Sequence, residues 1–430
     1  MNVATRTTVL ALGEHRGNPR IYLEGRWLIA AGFVPGGCFS VTYERQQIIL
    51  ELSPTGRTIS GKRANAHAVI DLNGPEIHEV FETHVIRRVM VRGEMGRILI
   101  TPSQLALRQS QRALSSTAVS LFAGGGLLCQ AAAMAGFQTV AAIEIDRDYA
   151  DIFQANHGGR MYQCSIEEAP WEELANLAPI GLLEMGIPCE PYSQIRRLDR
   201  GGQSKRQRDL PPEAHELGDM VYWAIKAADL LNPHTIVVEE VPAFLKSGAG
   251  YILCHALVRM GYTVDARVIN PIEYGALTAR TRAVVIATTF DRVAWPEPRP
   301  ASGRLGDIME DVPEDSPLWF DRVTKPWLYS HWQRQTGKGN GFQPPQLKPE
   351  DTYCPTIKKR YFAGQGDNVV VRHPSRPECH RWLTLGEVRR LMGLPDDYFL
   401  GDAITTAGEV LGQGVQVDVF TQIIRSVTGR

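Results

Sequence analysis

The chain has 430 residues, 43% of them hydrophobic and 22% charged, with a formal net charge of −1. That length suits two or three globular domains, and the near-neutral balance excludes a uniformly basic nucleic-acid binder while leaving room for a local basic face. No apolar run approaches the roughly 18 residues of a membrane span, the first six residues lack the apolar stretch of a secretory signal, and 7 scattered cysteines without a CxxC pair argue against a disulfide framework or a metal site and for a reducing cytoplasm.

Residues 1–102 read as a separate β-rich module. Arg20–Leu23, Phe39–Tyr43 and Gln47–Leu52 have the composition of short strands. Gly25–Phe33 reads as a short helix ended by Gly32. His67–Leu72, His84–Val91 and Gly96–Thr101 form a second strand-rich set, and 103–115 is polar, helix or linker. Then strands and helices alternate. Thr117–Phe122 is a strand, followed by the turn Ala123-Gly124-Gly125-Gly126 and the small-residue helix Leu127–Phe137. A glycine turn between strand and helix lets backbone approach a nucleotide-like ligand, because no Cβ intervenes. The turn is not a GxGxxG, so this stretch alone would equally suit a nicotinamide enzyme. The next strand, Thr139–Ile143, ends in Glu144, about 20 residues beyond the turn, where a carboxylate would hold a ribose diol. Asp148–His157 is a helix closed by Gly158-Gly159. This alternation predicts a doubly wound parallel sheet.

Ile180–Leu183 reads as the end of a buried strand, and Pro188 then presents Cys189 on a loop. A thiol at a strand's C-terminal edge is well placed to be a nucleophile, since ligands of open α/β sheets bind there. Cys129 and Cys254 read instead as small buried apolar residues. The polar, basic stretch Arg196–Arg208 suits a loop that clamps a phosphate backbone, with Ser193, Arg196 and Arg197 as candidate contacts; a solvated loop is the plain alternative. A long helix is predicted over Glu213–Leu231, with Leu217, Met220, Val221, Ala224, Ile225 and Ala228 on one face. The strand His234–Val238 ends in Glu239-Glu240-Val241-Pro242. From about 290 to 378 the alternation stops, and the segment is rich in Pro, Trp, Lys and Arg. Lys358, Lys359 and Arg360 are candidates for phosphate or base contacts, and Gly337–Phe342 for a groove-entering loop; a solvated surface is the plain alternative for both.

Two resemblances organise these pieces. Pro19–Gly36 is similar to SymE-type toxin domains, relatives of the AbrB-like swapped-hairpin barrels. That implies a nucleic-acid-associating module able to form a homodimer; no catalytic residue carries over. From about 117 to 427 the chain resembles the DNA cytosine-5 methyltransferases. Ser120-Leu121-Phe122-Ala123-Gly124-Gly125-Gly126 looks like the methyl-donor loop and Glu144 like the ribose-binding acid. Gly186-Ile187-Pro188-Cys189 corresponds to the Pro-Cys nucleophile motif, Glu239-Glu240-Val241 to Glu-Asn-Val, and Asn270–Arg282 to the segment ending in Gln-x-Arg-x-Arg. Leu383–Tyr398 matches the late Leu-Thr-Pro-Arg-Glu…Gly-Phe-Pro-Asp segment, Gly412-Gln413-Gly414-Val415 stands for Gly-Asn-Ala-Val, and Cys354–Tyr361 resembles the recurring Thr-Ile/Leu element of the recognition region.

The resemblance implies an α/β, Rossmann-like methyltransferase sheet over 116–289, a small target recognition domain over 290–378, and a segment, 379–430, that returns to the catalytic domain. S-adenosylmethionine would be held by Phe122, Ala123, Gly124, Gly126, Glu144, Ile145, Ser165, Pro188, Gln413 and Val415. The substrate would be double-stranded DNA, read with a cytosine flipped out, and a cognate restriction endonuclease is an implied partner. Cys189 would add to C6, Glu239 would hold and protonate N3, and Arg280 and Arg282 would hold the base oxygen, phosphates or the catalytic loop. The chain departs from the pattern at Gly181 and Ser165 (usually Asp), Glu190 and Thr278 (usually Gln), Glu240 (usually Asn) and Gln413 (usually Asn). Two other readings are an RNA (tRNA) cytosine-5 methyltransferase, which shares the chemistry, and a nucleic-acid-binding regulator with weakened catalysis, which the departures motivate. Glu190 and Glu240 place negative charge beside a thiol that must ionise, and should raise its pKa unless the arginines compensate.

Overall fold

The computed structural model describes residues 6–62, 64, 66–81, 86–177, 179–192, 211–300, 303–339 and 344–430. Ser193, Arg196, Arg197 and the rest of the expected basic loop, like the tip of the expected loop at 340–342, lie outside the described residues. The chain divides into two compact units, 1–112 and 113–430.

The first unit is β-rich. A six-stranded sheet runs in the order Arg6–Ala11, Arg88–Glu94, Arg97–Pro102, Gln47–Ser53, Cys38–Glu44, Arg57–Thr58. A four-stranded sheet runs Gly13–His15, Asn18–Gly25, His67–Asn73, Ser60–Lys62. Alternate residues of these strands, among them Ile21, Leu23, Ile48, Leu50, Ile70, Val89, Val91, Ile98 and Ile100, fill one core with Phe33 and Phe39, as the two-residue period of a strand requires. The predicted helix after Gly25 is the short Arg26–Ala30, with Gly32 beyond it at φ 90°. A helix over Pro75–Phe81, which buries Ile77 and Phe81, had no counterpart in the sequence reading. The strand expected from His84 begins at Arg88.

The second unit is built on one seven-stranded sheet. Its strands are β1 (Thr117–Leu121), β2 (Gln138–Glu144), β3 (Arg160–Gln163), β4 (Leu182–Gly186), β5 (Thr235–Glu240), β6 (Thr263–Ile269) and β7 (Arg282–Thr288). They lie in the order β3-β2-β1-β4-β5-β7-β6, and only β7 runs antiparallel to its neighbours. This is the doubly wound, Rossmann-like sheet that the alternation predicted. Alternate residues feed two cores. Ala118, Leu182, Val237 and Ile286 face α1 (Leu127–Met134) and the C-terminal helices. Val119, Leu183, Met185, Ile236 and Val285 face the other side. There lie α4 (Met220–Leu231) and α5 (Gly248–Arg259), while α2 (Arg147–Asn156) and α3 (Trp171–Ala175) follow β2 and β3.

Two expectations need correction here. The long helix predicted from Glu213 starts only at Met220, so Leu217 precedes it. A tight 3₁₀ turn occupies Pro212–Ala214, and the Glu213 carboxylate accepts the N–H of Ala249 at 3.0 Å, capping the first turn of α5. Tertiary capping overrides the helical periodicity. Cys254 is only half-buried, at the edge of its core.

Gly181 opens β4 where the resemblance has Asp. A Cβ there would sit 1.9 Å from the Ser115 carbonyl oxygen. The chain entering β1 therefore occupies the space a side chain would need.

Beyond β7 the chain forms α6 (Pro326–Gly337) and a small sheet of Gln346–Leu347, Val370–Arg372 and His380–Arg381. A core of Phe320, Leu328, Trp332 and Val370 holds them. The small sheet thus borrows its last strand from beyond residue 378. The chain then returns through α7 (Leu385–Leu391), α8 (Ile404–Gln413) and α9 (Val417–Thr428), and α9 packs on α1. Arg381 and Glu387, both nearly inaccessible, form a two-pronged ion pair at 2.7 Å that fixes the start of α7.

Candidate active site

The site forms at the C-terminal ends of β1, β2, β4 and β5. The parallel register of β4 and β5 sets Gly186 beside Glu239. A Cβ on Gly186 would be 3.6 Å from Glu239 Oε2, so the carboxylate leans over the strand end that leads to Cys189. The loop turns tightly there, with the Tyr192 N–H donating to the Cys189 carbonyl at 3.0 Å. Tyr192 packs edge-on against Phe244, 5.1 Å between ring centres.

Antiparallel pairing of β5 with β7 brings Arg282 to the same place. Its Nε lies 2.5 Å from Glu239 Oε1, with the side chains only 15% and 12% exposed. Glu240 is 2% exposed; its Oε2 accepts the N–H of Val241, and its Oε1 has no hydrogen-bond partner among the described residues. Burial pushes the Cys189 thiol from 9.0 up to about 12; Glu240, Glu190 and Glu239 add to the rise and Arg282 opposes it. The charge imbalance expected from the sequence is therefore present, and one arginine offsets it only in part.

Arg280 is buried. Its Nε donates to the Gly414 carbonyl and its Nη1 to the Ile357 carbonyl at 3.4 Å. It bridges the returning C-terminal segment and the Thr356-Ile357 element, and burial together with Arg282 lowers its pKa.

The glycine turn lies next to this cluster along the sheet edge. Phe122 takes φ 55° and Gly124 φ 54°, and nothing lies within 4 Å of where a Gly124 Cβ would be. Glu144 receives the N–H of Gly124 at 2.7 Å and of Asp146 at 2.8 Å, while burial raises its pKa. Ile145 beside it is 66% exposed. Ala123, Ser165 and Pro188 are half-buried around the same edge. Val415 is buried, and the Gln413 amide donates to the Tyr149 hydroxyl at 2.9 Å, which in turn donates to Glu409 at 2.8 Å.

Two supports of this turn were missed in the sequence. The Tyr398 hydroxyl donates to the Gly125 carbonyl at 2.7 Å, and His157 Nε2 lies 3.0 Å from both the Gly126 carbonyl and the Tyr398 hydroxyl. Burial holds His157 neutral by lowering its pKa from 6.5 to about 4. The late Pro395–Tyr398 segment was the available signal, but nothing local ties it to a turn 273 residues earlier. Glu184, fully buried in β4, accepts the Cys129 thiol proton at 2.7 Å, and burial raises it from 4.5 to about 7. Cys129 is buried as expected, packed with Ala142 and Phe153, and in addition donates to a carboxyl group.

Residues 116–429 match the family model of the C-5 cytosine-specific DNA methylases, nearly three-quarters of the chain. The chain belongs to that family. As a DNA cytosine-5 methyltransferase it uses S-adenosylmethionine as methyl donor. It is 26% identical over 317 residues to the type II methyltransferase M.NlaX of Neisseria lactamica, spanning 71% of this chain and 94% of that one. It is 24% identical over 328 residues to M.DsaV of Dactylococcopsis salina, spanning 72% and 85%. Among solved structures, the S. pombe Dnmt2 methyltransferase superposes with a TM-score of 0.55 at 19% identity over 72% of this chain and 96% of that one, which shows a shared fold. The family match starts at residue 116 and does not extend to the N-terminal unit.

The residues of this methyltransferase fit its donor. Gly124 offers an open backbone face, Glu144 has a free lone pair on each oxygen beyond its backbone bonds, and Ile145 is exposed beside it. Further along, Lys358 pairs with Asp367 and Lys359 with Glu409, and Lys358, Lys359 and Arg360 are all exposed. The backbone of Lys358 and Lys359 runs 2.5–2.6 Å from where a Gly412 Cβ would be, so α8 seats directly beneath this basic strip. Thr278, in the position of the family's Gln, is fully buried and bridges to Cys354.

Proposed function

We propose that Cys189 is the nucleophile of this DNA cytosine-5 methyltransferase, adding to C6 of a cytosine flipped out of the duplex, with Glu239 holding and protonating N3. The observation that carries this reading is the placement of Cys189, Glu239 and Arg282 at the adjoining ends of β4, β5 and β7, one step from the glycine turn. The cytosine ring carries too little electron density at C5 to accept a methyl group unaided. Bonding of sulfur at C6 supplies it, and protonation at N3 drains the charge that would otherwise build on the ring. Arg282 holds the Glu239 carboxylate in one orientation through its guanidinium. Arg280 positions the catalytic edge by clamping Gly414 and Ile357. When bound, S-adenosylmethionine supplies an electrophilic methyl group; Phe122, Ala123, Gly124, Gly126, Glu144, Ile145, Ser165, Pro188, Gln413 and Val415 line its place, with Glu144 on the ribose diol.

Residues 290–378, with the exposed Lys358, Lys359 and Arg360, act as the target recognition region on double-stranded DNA. Ser193, Arg196 and Arg197 contact the phosphates. The N-terminal β-rich unit is a nucleic-acid-associating module that supports a homodimer. The working compartment is the cytoplasm, and a cognate restriction endonuclease is the partner that the similarity to type II methyltransferases suggests. No described helix is long and apolar enough to cross a membrane.

The test is Cys189→Ser in the full chain, with bisulfite sequencing of DNA from cells that express it. Loss of all 5-methylcytosine made by the wild type is expected; persisting methylation would refute the mechanism. In the wild type the same experiment reads out the target sequence. Labelled donor offered with genomic DNA and tRNA checks the substrate, with label expected in DNA.

A further inference from the structure

Four ionisable groups of one sign crowd the reacting edge: the Cys189 thiol, Glu190 on the same loop, and Glu239 and Glu240 on β5. Among the described residues two cations face them, Arg282 from β7 and Arg280 from the segment before it. Arg282 is committed to Glu239 at 2.5 Å, and Arg280 to the carbonyls of Gly414 and Ile357. Among the described residues Glu240 has no cation of its own. It is 2% exposed, its Oε2 takes only the neighbouring Val241 N–H, and its Oε1 meets no hydrogen-bond partner among the described residues. The Tyr192 hydroxyl, also buried and also without a partner among the described residues, faces the same carboxyl.

A carboxylate in such a place is a buried charge without a counter-ion, one of the costliest states a side chain can adopt; a carboxylic acid is not. Burial, with Glu239 and Glu190, holds the Glu240 carboxyl well above the usual carboxylate range, against the pull of the Val241 N–H and Arg282. In its acid form Glu240 presents a carbonyl acceptor and one O–H donor from a planar group, closer to the amide that the resemblance places here (one acceptor oxygen, two N–H donors) than an acceptor-only carboxylate is.

We propose that Glu240 works as a neutral carboxylic acid in the reactive enzyme and that its proton is linked to that of Cys189, so that the thiolate forms beside a protonated Glu240 and the ionisation of either group opposes the other. Glu240 is thus a positioning residue that acts through Cys189, and the inference rests on Cys189 being the nucleophile. Before attack Cys189 gives its proton to water and the Glu239 carboxylate takes one up from water. The S–C6 bond then forms as the C5–C6 π bond opens, N3 takes a proton from Glu239, and Glu240 keeps its own. Once C5 carries the methyl group, water takes the C5 proton, the C5–H electron pair re-forms the C5–C6 π bond, the S–C6 bond breaks with its pair returning to sulfur, and N3 gives its proton back to Glu239.

The experiment compares full-length wild type and Glu240→Gln, whose amide cannot ionise. Cys189 is alkylated with iodoacetamide from pH 6 to pH 10 and its peptide quantified by mass spectrometry. The two proteins should react at equal rates at pH 6 and diverge as pH rises, with Glu240→Gln at least about tenfold faster at pH 9, one unit of thiol pKa being a factor of ten. The rising limb of single-turnover methyl transfer should move to lower pH in the variant. A rate ratio that stays constant with pH overturns the proposal: a constant ratio above one means Glu240 is ionised throughout, and a ratio of one means its charge does not reach the thiol. Glu240→Asn repeats the comparison if the first variant fails to fold. A Cys189→Ser protein that still methylates overturns the nucleophile reading, whereas a flat ratio with Cys189→Ser inactive overturns only the linkage.

Discussion

Arg282 Nε sits 2.5 Å from Glu239 Oε1, across the antiparallel seam between β7 and β5. The pair is largely withdrawn from water, so each member depends on the other for compensation of its charge. Arg282 is also the cation that lowers the pKa of Cys189 against three carboxyl groups. One guanidinium therefore serves both the acid and the thiol.

Arg282→Met should remove that compensation and leave Glu239 as an unpaired, nearly buried carboxylate. Breaking one side of such a pair costs about 3 kcal/mol, to be read as a lower urea midpoint. Cys189 alkylation at pH 8 should slow by at least about tenfold, because the opposing acids remain. Unchanged alkylation would show that Arg282 holds Glu239 without influencing the thiol.

Gly181→Asp restores the residue usual at this position in the family, yet it should damage this protein. The new Cβ would start 1.9 Å from the Ser115 carbonyl oxygen, so either β4 or the entry to β1 must shift. Overpacking of this severity costs about 3 kcal/mol. The denaturant midpoint should fall, and donor titration by calorimetry should weaken with it, since β1 leads directly into the glycine turn. A variant as stable as the wild type would show that the two strands move apart freely.

These two cases mark how far the sequence could be read. The strand–glycine–helix unit, Glu144, Cys189 and Glu239 are local patterns, and each landed at the sheet edge where its pattern placed it. The contacts that set their chemistry are not local. Glu184 and Cys129 are 55 residues apart and His157 and Tyr398 are 241 apart, joined only when β4 lies beside β1 and the segment between α7 and α8 returns to the turn. The helix expected from Glu213 failed for the same reason. Its side chain is used 36 residues away at the start of α5, and periodicity carries no trace of that. The missing Asp at 181 reads from sequence as a loss of function, whereas its cause is a neighbouring backbone.

Glu144→Ala tests the donor site apart from the chemistry. The carboxylate closes the turn by taking the Gly124 N–H, and in the proposed function it takes a ribose hydroxyl as well. Its loss removes a charge-assisted hydrogen bond of about 1.5–3 kcal/mol, so the calorimetric dissociation constant for S-adenosylmethionine should rise about tenfold to a hundredfold. Cys189 alkylation should stay at the wild-type rate; slowing would place Glu144 in the same electrostatic cluster.

Arg360→Ala addresses the exposed basic strip. A phosphate contact releases about one counterion, so its removal should flatten the plot of log affinity against log salt by about 1 for duplex DNA, with little change in sequence preference. Anisotropy titrations at several salt concentrations read this directly. A changed preference with an unchanged slope would instead assign Arg360 to a base edge.

Glu184 gives the pH prediction. Its carboxyl is raised from 4.5 to about 7 by burial in the sheet, with the Cys129 thiol hydrogen bond and the nearby Ser120 side chain pulling the other way. The folded protein therefore favours the protonated form. The unfolded chain loses this proton near pH 4.5, the folded one only near pH 7, so the folded state binds more protons in between and stability falls as pH rises through that window. The loss is complete above about pH 7 and amounts to about 3 kcal/mol for a shift of that size. Glu184→Gln keeps the shape of the protonated acid and cannot ionise. Its urea midpoint should match the wild type at pH 4.5 and exceed it at pH 8. A variant that is less stable at both values would mean that the ionised carboxylate, held by Cys129, is the native form.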